Sequence, residues 1–417
     1  MKKLLTLLLV AFIAMSSIFA GGASESTTDA TAPIKIGAMY ALSGSNAAIG
    51  TNIMRGVDFA VEMINAKGGV NGRMIEIVRG DTQGDAKVGR SVAERLITQD
   101  KVNAIIGCHQ STITQIVAQV CEQYQIPMIT AISTVDNLST FNLKYFFRMC
   151  PMNSFYVENQ FQYLEDLSKQ TGAEIKRIAI FADNSNIGQE LIRCARIFAP
   201  EYGMEIVAEI QYNNGATDLT SEVLSLRNAN PDAVLCESYI SDAILLTKTM
   251  KEQNCKPPVV VAKANGFADP SYIPATEGIS NGIASVVEWN PDLTKGQDIN
   301  KAFKEEYGVD MNGHSAESFT AIWILKTAFE AAGTTDGTKV RDAIAALDIQ
   351  GSFPNGPEII LPYDRIKFGD MEVDGVKHTQ NNIYASVAIA QIQDGAYKTV
   401  WPFEFSSTEV QYPAQYK

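Results

Sequence analysis

The chain is short of almost everything from which a metal centre or a hydrolytic site is commonly built. Only three of its 417 residues are histidine, His109, His314 and His378. They are too scattered to argue for a metal, and each reads as a surface or loop residue. There is no Gly-x-Ser-x-Gly elbow, no His-Glu-x-x-His, no phosphate loop ending in Gly-Lys-Ser/Thr, and no Gly-x-Gly-x-x-Gly after a strand. The sequence case for the matching enzyme classes is therefore missing. Asp183 to Gly188 resembles a calcium loop only briefly, because Ile187 takes a ligand position and Cys194 stands where the closing glutamate belongs. Positive charge is in deficit, with 34 Lys and Arg against 47 Asp and Glu and a net charge of −13. That balance argues against nucleic acid or anionic lipid as a partner. Beyond residue 32 no apolar run reaches the ~18 residues that a membrane span needs. Cysteine is sparse too. Cys108, Cys121, Cys150, Cys194, Cys236 and Cys255 match no zinc spacing, and a chain of this size has no need of staples; disulfides can persist in an exported chain, but several of the six can be plain buried thiols, and the sequence does not decide their pairing.

What is present begins at the N-terminus. Lys2 and Lys3 precede an apolar run from Leu4 to Ile13, followed by the small residues around Ala20, Gly21 and Gly22. This pattern predicts a cleavable secretory signal over 1–22 and a flexible Gly/Ala/Ser/Thr-rich leader over 23–32. No cysteine precedes Cys108, so a lipid-anchored form is not expected.

The most informative stretch is Ile34 to Asp85. An apolar strand, Ile34 to Tyr40, runs into the polar turn Ser43-Gly44-Ser45-Asn46. A helix then carries Ile53, Val57, Ala60, Val61 and Ile64 on one face and stops at Lys67-Gly68-Gly69. A second strand ends in the acidic turn at Asp81. Strand, helix and strand make a βαβ unit, and ligands of open α/β sheets bind beyond the carboxyl ends of such strands. Apolar strands and helical stretches go on alternating to about residue 262. The pattern restarts after Pro151, which predicts two lobes with parallel sheets and helices on both faces. Residues 285–362 are mostly helical.

Several polar loops follow predicted strands. Gly107-Cys108-His109-Gln110-Ser111-Thr112 opens one helix, and Ala131-Ile132-Ser133-Thr134 follows the next strand. Two hydroxyl loops at neighbouring helix starts can offer O–H and N–H donors to one carboxylate. The plainer reading of each loop is ordinary helix capping. Tyr239, at the end of Cys236-Glu237-Ser238-Tyr239, can line a pocket or simply pack.

Ala41-Leu42-Ser43-Gly44, Gly56-Val57, Asn65-Ala66-Lys67-Gly68-Gly69-Val70-Asn71-Gly72 and the Asp81 turn resemble the start of the periplasmic branched-chain amino-acid binding proteins of ABC importers. The resemblance runs over nearly all of 34–400 and is weakest after Lys367. It implies an α/β type I periplasmic binding protein, with two Rossmann-like lobes joined by a three-strand hinge: 33–149 plus 285–370 as one lobe, 150–284 plus 371–417 as the other. It implies a periplasmic monomer that closes on a small molecule and delivers it to an inner-membrane ABC permease, with no cofactor, metal or nucleic acid. Carried over residue by residue, it puts the ligand carboxylate on Ser111 and Thr134 within the Ile132-Ser133-Thr134 loop, and the ammonium on the carbonyl of Ile132. It puts Tyr239 in the pocket wall, and Ile49 and Ile187 where the family has aromatic residues. The family's ammonium-pairing glutamate aligns with Asn265, and Glu237, Glu288 and Glu317 stand as replacements. The family's frequent disulfide from the Asp81 turn is absent, since that turn has no cysteine. Three readings stay open: an aliphatic amino-acid carrier, the same fold for a short amide, urea-like or non-amino carboxylate ligand, and an exported α/β enzyme.

Overall fold

The structure, a computed structural model, describes residues 32–44, 46–263, 265–269 and 271–416, without the side chain of Asn265. The expected signal at 1–22, and the leader up to residue 31, lie outside the described residues. No helix among the described residues is long and apolar enough to cross a membrane.

The chain opens with β1 (Ile34–Tyr40), α1 (Ala47–Ala66) and β2 (Ile75–Asp81). α1 forms because Ile53, Val57, Ala60, Val61 and Ile64 fall on one buried stripe. It ends where Gly68 and Gly69 adopt φ of 95° and 72°, which glycine takes without a Cβ penalty. The Asn65 amide then clamps the next strand, donating to Ile75 O at 2.9 Å and accepting from Ile75 N at 2.8 Å. The first lobe continues with α2 (Ala86–Thr98), an element not anticipated from the sequence, then β3 (Ala104–Gly107), α3 (Ser111–Tyr124), β4 (Met128–Thr130) and β5 (Phe146–Arg148).

The second lobe follows at once. It comprises α4 (Asn153–Thr171), β6 (Arg177–Asp183), α5 (Asn186–Glu201), β7 (Glu205–Tyr212), α6 (Thr220–Ala229), β8 (Ala233–Glu237), α7 (Ile240–Glu252), β9 (Val259–Ala262), the single turn α8 (Tyr272–Ala275) and β10 (Ala284–Val287). The chain returns through α9 (Gln297–Tyr307), α10 (Gly313–Ala332), α11 (Gly337–Ala346), β11 (Asp348–Gln350), β12 (Arg365–Val373) and β13 (Val376–Asn382). It finishes in the second lobe with β14 (Ala388–Gln393) and β15 (Ala396–Trp401).

Two sheets result, ordered β11-β12-β13-β5-β4-β3-β1-β2 and β15-β14-β10-β9-β8-β6-β7. The βαβ strands pair in parallel in both, as expected. Both sheets are mixed rather than purely parallel, because hairpin β12–β13 and strands β14–β15 add antiparallel edges. The two halves share one topology: strand order reverses at β1 in the first and at β6 in the second. Such switch points open a crevice at the carboxyl ends of the strands.

Strand pairing also moves two lobe boundaries from where the resemblance put them. β10 pairs with β9 and β14, so it belongs to the second lobe and the chain crosses after it rather than before residue 285. β13 pairs with β5 through Asn381 and Arg148, so the first lobe extends past 370 to residue 382. The cause is a hairpin turn at Asp374 and Gly375, both with positive φ (53° and 70°), which folds β13 back onto the first sheet. Three crossings between the lobes remain, after β5, β10 and β13.

α10 lies against α1 and is buried nearly all round, from Ser315 to Phe329. Its start is closed by a reciprocal cap between Asn312 and Ser315. Gly56 is the point of closest approach between the two helices. A Cβ there would meet Ser315 O at 2.1 Å and Ser318 Oγ at 2.5 Å, while Ser318 Oγ donates to Ile53 O at 2.9 Å. All six cysteines are free and buried.

Candidate functional site

A cavity of about 350 Å³ lies between the lobes, lined by residues that follow strand ends from both. His109 and Ser111 come after β3, and Ile132, Thr134 and Val135 after β4. Asn153 and Tyr156 stand on the first turn of α4, Ile187 on that of α5. Lys263 follows β9, Glu288 follows β10, and His314 and Glu317 lie on the first two turns of α10.

One end is built to hold an anion. Ser111 is the first residue of α3, and no side chain caps that helix start. Its N–H groups and the Ser111 hydroxyl therefore sit at the positive end of the helix dipole. Thr134 arrives from the adjacent strand end, its own carbonyl tied down by Asn153 N (2.8 Å) and Arg148 Nη1 (3.0 Å). The spacing between the two loops is set by Ser133. Its hydroxyl is buried and lies 2.6 Å from Thr114 Oγ1, donating to Cys108 O at 2.8 Å. Ser133 is therefore a brace behind the cavity and not part of its wall.

The other end is rich in ionisable groups. Tyr156 donates its O–H to Glu288 Oε1 at 2.8 Å. Glu288 Oε2 lies 3.1 Å from where a Cβ on Gly313 would be, so the missing side chain lets the carboxylate rest on the first turn of α10. Glu317 is 2 % exposed, and its Oε2 has no hydrogen-bond partner. Burial, and then the charge of Glu288, push its carboxyl well above the usual carboxylate range. His109 and His314 meet edge to face with centroids 5.2 Å apart. Burial, then His314, pushes His109 down to about 4. Burial also lowers His314, against the pull of Glu288. Both rings are therefore neutral near pH 7. His109 lies in the loop after β3 and His314 on the first turn of α10, each half-buried, while His378 is buried on β13 against Ser139 and Asp136. No group of metal-ligating side chains occurs among the described residues.

Lys263, at the strand end next to the one that Glu288 follows, is 3 % exposed, with Nζ 3.5 Å from the fully buried Glu237 Oε2. Of the three candidate replacements for the family's glutamate, Glu288 and Glu317 line the cavity and Glu237 stands behind Lys263.

The sequence candidates thus divide. Ser111, Ile132 and Thr134 from the first lobe and Ile187 from the second line the same cavity. Ile49, on the first turn of α1, is half-buried and packs on the first-lobe core. Tyr239 is the residue before α7, 45 % exposed, and does not line the cavity. Asn265 begins a 3-10 turn after β9, held near Tyr239 by Gly266 N donating to Ser238 O at 3.0 Å. Its side chain lies outside the described residues. Lys263, Tyr156 and the His109–His314 pair were not foreseen, and only their placement at strand ends and helix starts could have pointed to them.

Comparisons with known proteins agree with this architecture. The sequence pattern of a family described as "Periplasmic binding protein" matches residues 33–381. A Brucella suis protein named "Leu/Ile/Val-binding protein homolog 7" is 28% identical over 416 residues, covering 96% of this chain and 98% of the relative. Among solved structures, a putative branched-chain amino acid ABC transporter protein from Silicibacter pomeroyi is similar with a TM-score of 0.78 at 20% identity, covering 91% of this chain and 99% of that one. A branched-chain amino acid transporter substrate-binding protein from Streptococcus pneumoniae, in complex with isoleucine, is similar with a TM-score of 0.66 at 22% identity, covering 88% and 97%.

Proposed function

The chain belongs to the periplasmic binding protein family, and from that premise we propose that it captures a free α-amino acid between its lobes, outside the cytoplasm, and presents it to an inner-membrane ABC permease. The observation that carries this reading is the polarity of one cavity. Neutral donors from Ser111, Thr134 and the start of α3 line it together with the carboxylates of Glu288 and Glu317. An α-amino acid has a carboxylate and an ammonium on one carbon, and this arrangement meets both. Ile132, Val135 and Ile187 supply the apolar part of the wall. With relatives named for leucine, isoleucine and valine, that wall supports a branched aliphatic side chain. Three crossings between lobes allow hinge closure, which buries the ligand without any bond being made.

A second reading keeps a specific support. Lys263 is a buried cation on the cavity wall, and a short amide or non-amino carboxylate would meet it well. A thermal-shift screen against aliphatic amino acids, polar amino acids, amides and short carboxylates separates the two. A ligand at 100-fold its dissociation constant adds ~2.7 kcal/mol to stability. Stabilisation by leucine or isoleucine is expected; a response confined to ligands without an ammonium group would sink the amino-acid reading.

The carboxylate end gives a sharper expectation. Ser111→Ala and Thr134→Ala each remove one hydrogen bond to a charged group, costing ~1.5–3 kcal/mol, or roughly ten- to a hundredfold in affinity. Calorimetry with L-leucine reads this directly. Wild-type affinity in both variants would place the carboxylate elsewhere.

A further inference from the structure

Glu288, after β10, and Glu317, on the second turn of α10, line one cavity. Glu288 is held by the Tyr156 hydroxyl and by the first turn of α10, where helix N–H groups favour an anion. Glu317 has no such support, since its Oε2 is buried without a partner. The titratable groups turned toward the pair are Tyr40 from β1, Cys150 after β5, Tyr156 from α4 and Tyr363 before β12. All four are neutral hydroxyls or a thiol whose deprotonation burial opposes. His314 and His109 are neutral too. Lys263, at the neighbouring strand end after β9, is beside Glu237. A carboxyl buried without a hydrogen-bond partner and facing a second carboxylate is costly to ionise, and Glu317 keeps its proton.

We propose that Glu317 holds a proton in the unliganded protein, and that a ligand ammonium entering the cleft takes its place, so that binding releases a proton to solvent. The balance is simple. The Glu317 carboxylic acid gives its proton to water, the carboxylate left behind pairs with the incoming ammonium, and Glu288 completes the cage. No covalent bond changes. Burial of Glu317 acts in the same direction, since it holds the acid form until a cation arrives. The inference rests on the reading that the ligand carries an ammonium group. It adds that this group is received by the hinge and the first lobe, with Glu317 serving as a proton-linked partner.

The sign of the pH dependence follows. Binding expels a proton, so affinity falls as pH drops below the value at which Glu317 titrates in the unliganded protein. The slope approaches roughly tenfold per pH unit for one linked proton. The test is calorimetric titration of the full chain with L-leucine at several pH values, in phosphate and in Tris, whose ionisation enthalpies differ widely. Wild type should release up to about one proton per ligand, whereas Glu317→Gln should release almost none and bind with a flat pH profile. Leucine binding by wild type with no buffer dependence at any pH would overturn the inference while leaving the amino-acid reading intact. The same release from Glu317→Gln as from wild type would overturn it too. Failure of leucine and every other amino acid to bind would sink both. If the variant does not fold, the wild-type measurement alone decides.

Discussion

Exchanging Glu288 for glutamine should lower the affinity for L-leucine roughly ten- to a hundredfold, with little change in the melting temperature of the unliganded protein. Glutamine has nearly the same shape, and its amide oxygen can still accept the Tyr156 hydroxyl, 2.8 Å from Oε1 in the native site. What disappears is the charge. Glu317 still faces the ammonium, so what is lost is one charge-assisted bond of two, worth ~1.5–3 kcal/mol. That corresponds to a loss of roughly one to two decades in affinity. Calorimetry beside a circular-dichroism melt separates binding from folding. A Glu288→Gln protein that binds leucine as tightly as wild type would show that the ammonium does not meet Glu288, or that the ligand has none.

That the Ser111 and Thr134 loops lie together was legible in the sequence because their parts are local. Ser111 and Thr134 each follow a short apolar strand, and parallel pairing of β3 with β4 brings their loops side by side. The direction of a single side chain was not legible. Ser133 carries the same hydroxyl as its neighbour Thr134, yet it points backwards into the brace with Thr114. The ammonium end could not be chosen from the sequence, because Glu288 and Glu317 reach the cavity only after the chain has crossed to the second lobe and back. Their candidacy could be written down; selecting them over Glu237 required the three-dimensional crossing. The C-terminal antiparallel strands left a readable trace. Asp374-Gly375 and Asp394-Gly395 are both hairpin dipeptides, and all four residues have positive φ in the fold. Tyr239 shows the opposite error: a residue at a strand end, where ligands gather, that instead precedes α7 and stays 45 % exposed.

A substitution far from any ligand contact should nonetheless damage both folding and binding. Gly56→Ala puts a methyl group 2.1 Å from Ser315 O and 2.5 Å from Ser318 Oγ. Neither atom can step aside. The first is backbone in the opening turn of α10, and the second belongs to the hydroxyl that bonds Ile53 O across the helix pair. α1 and α10 must therefore move apart, and overpacking of this kind costs ~1–3 kcal/mol, occasionally more. Alanine's better helix propensity returns about 1 kcal/mol. The contact is backbone against backbone and the helices are buried, so the upper part of the range applies and a net loss of about 2 kcal/mol is expected in a urea titration. The displaced helix is the one that carries His314 and Glu317 and against which Glu288 rests through Gly313. Leucine affinity should therefore fall along with stability, and the proton released on binding should fall with it, although residue 56 touches no ligand. An alanine variant with wild-type urea midpoint would mean that α1 and α10 are not pressed together at Gly56. A destabilised variant with unchanged affinity and proton release would mean that the position of α10 does not govern the carboxylate pair.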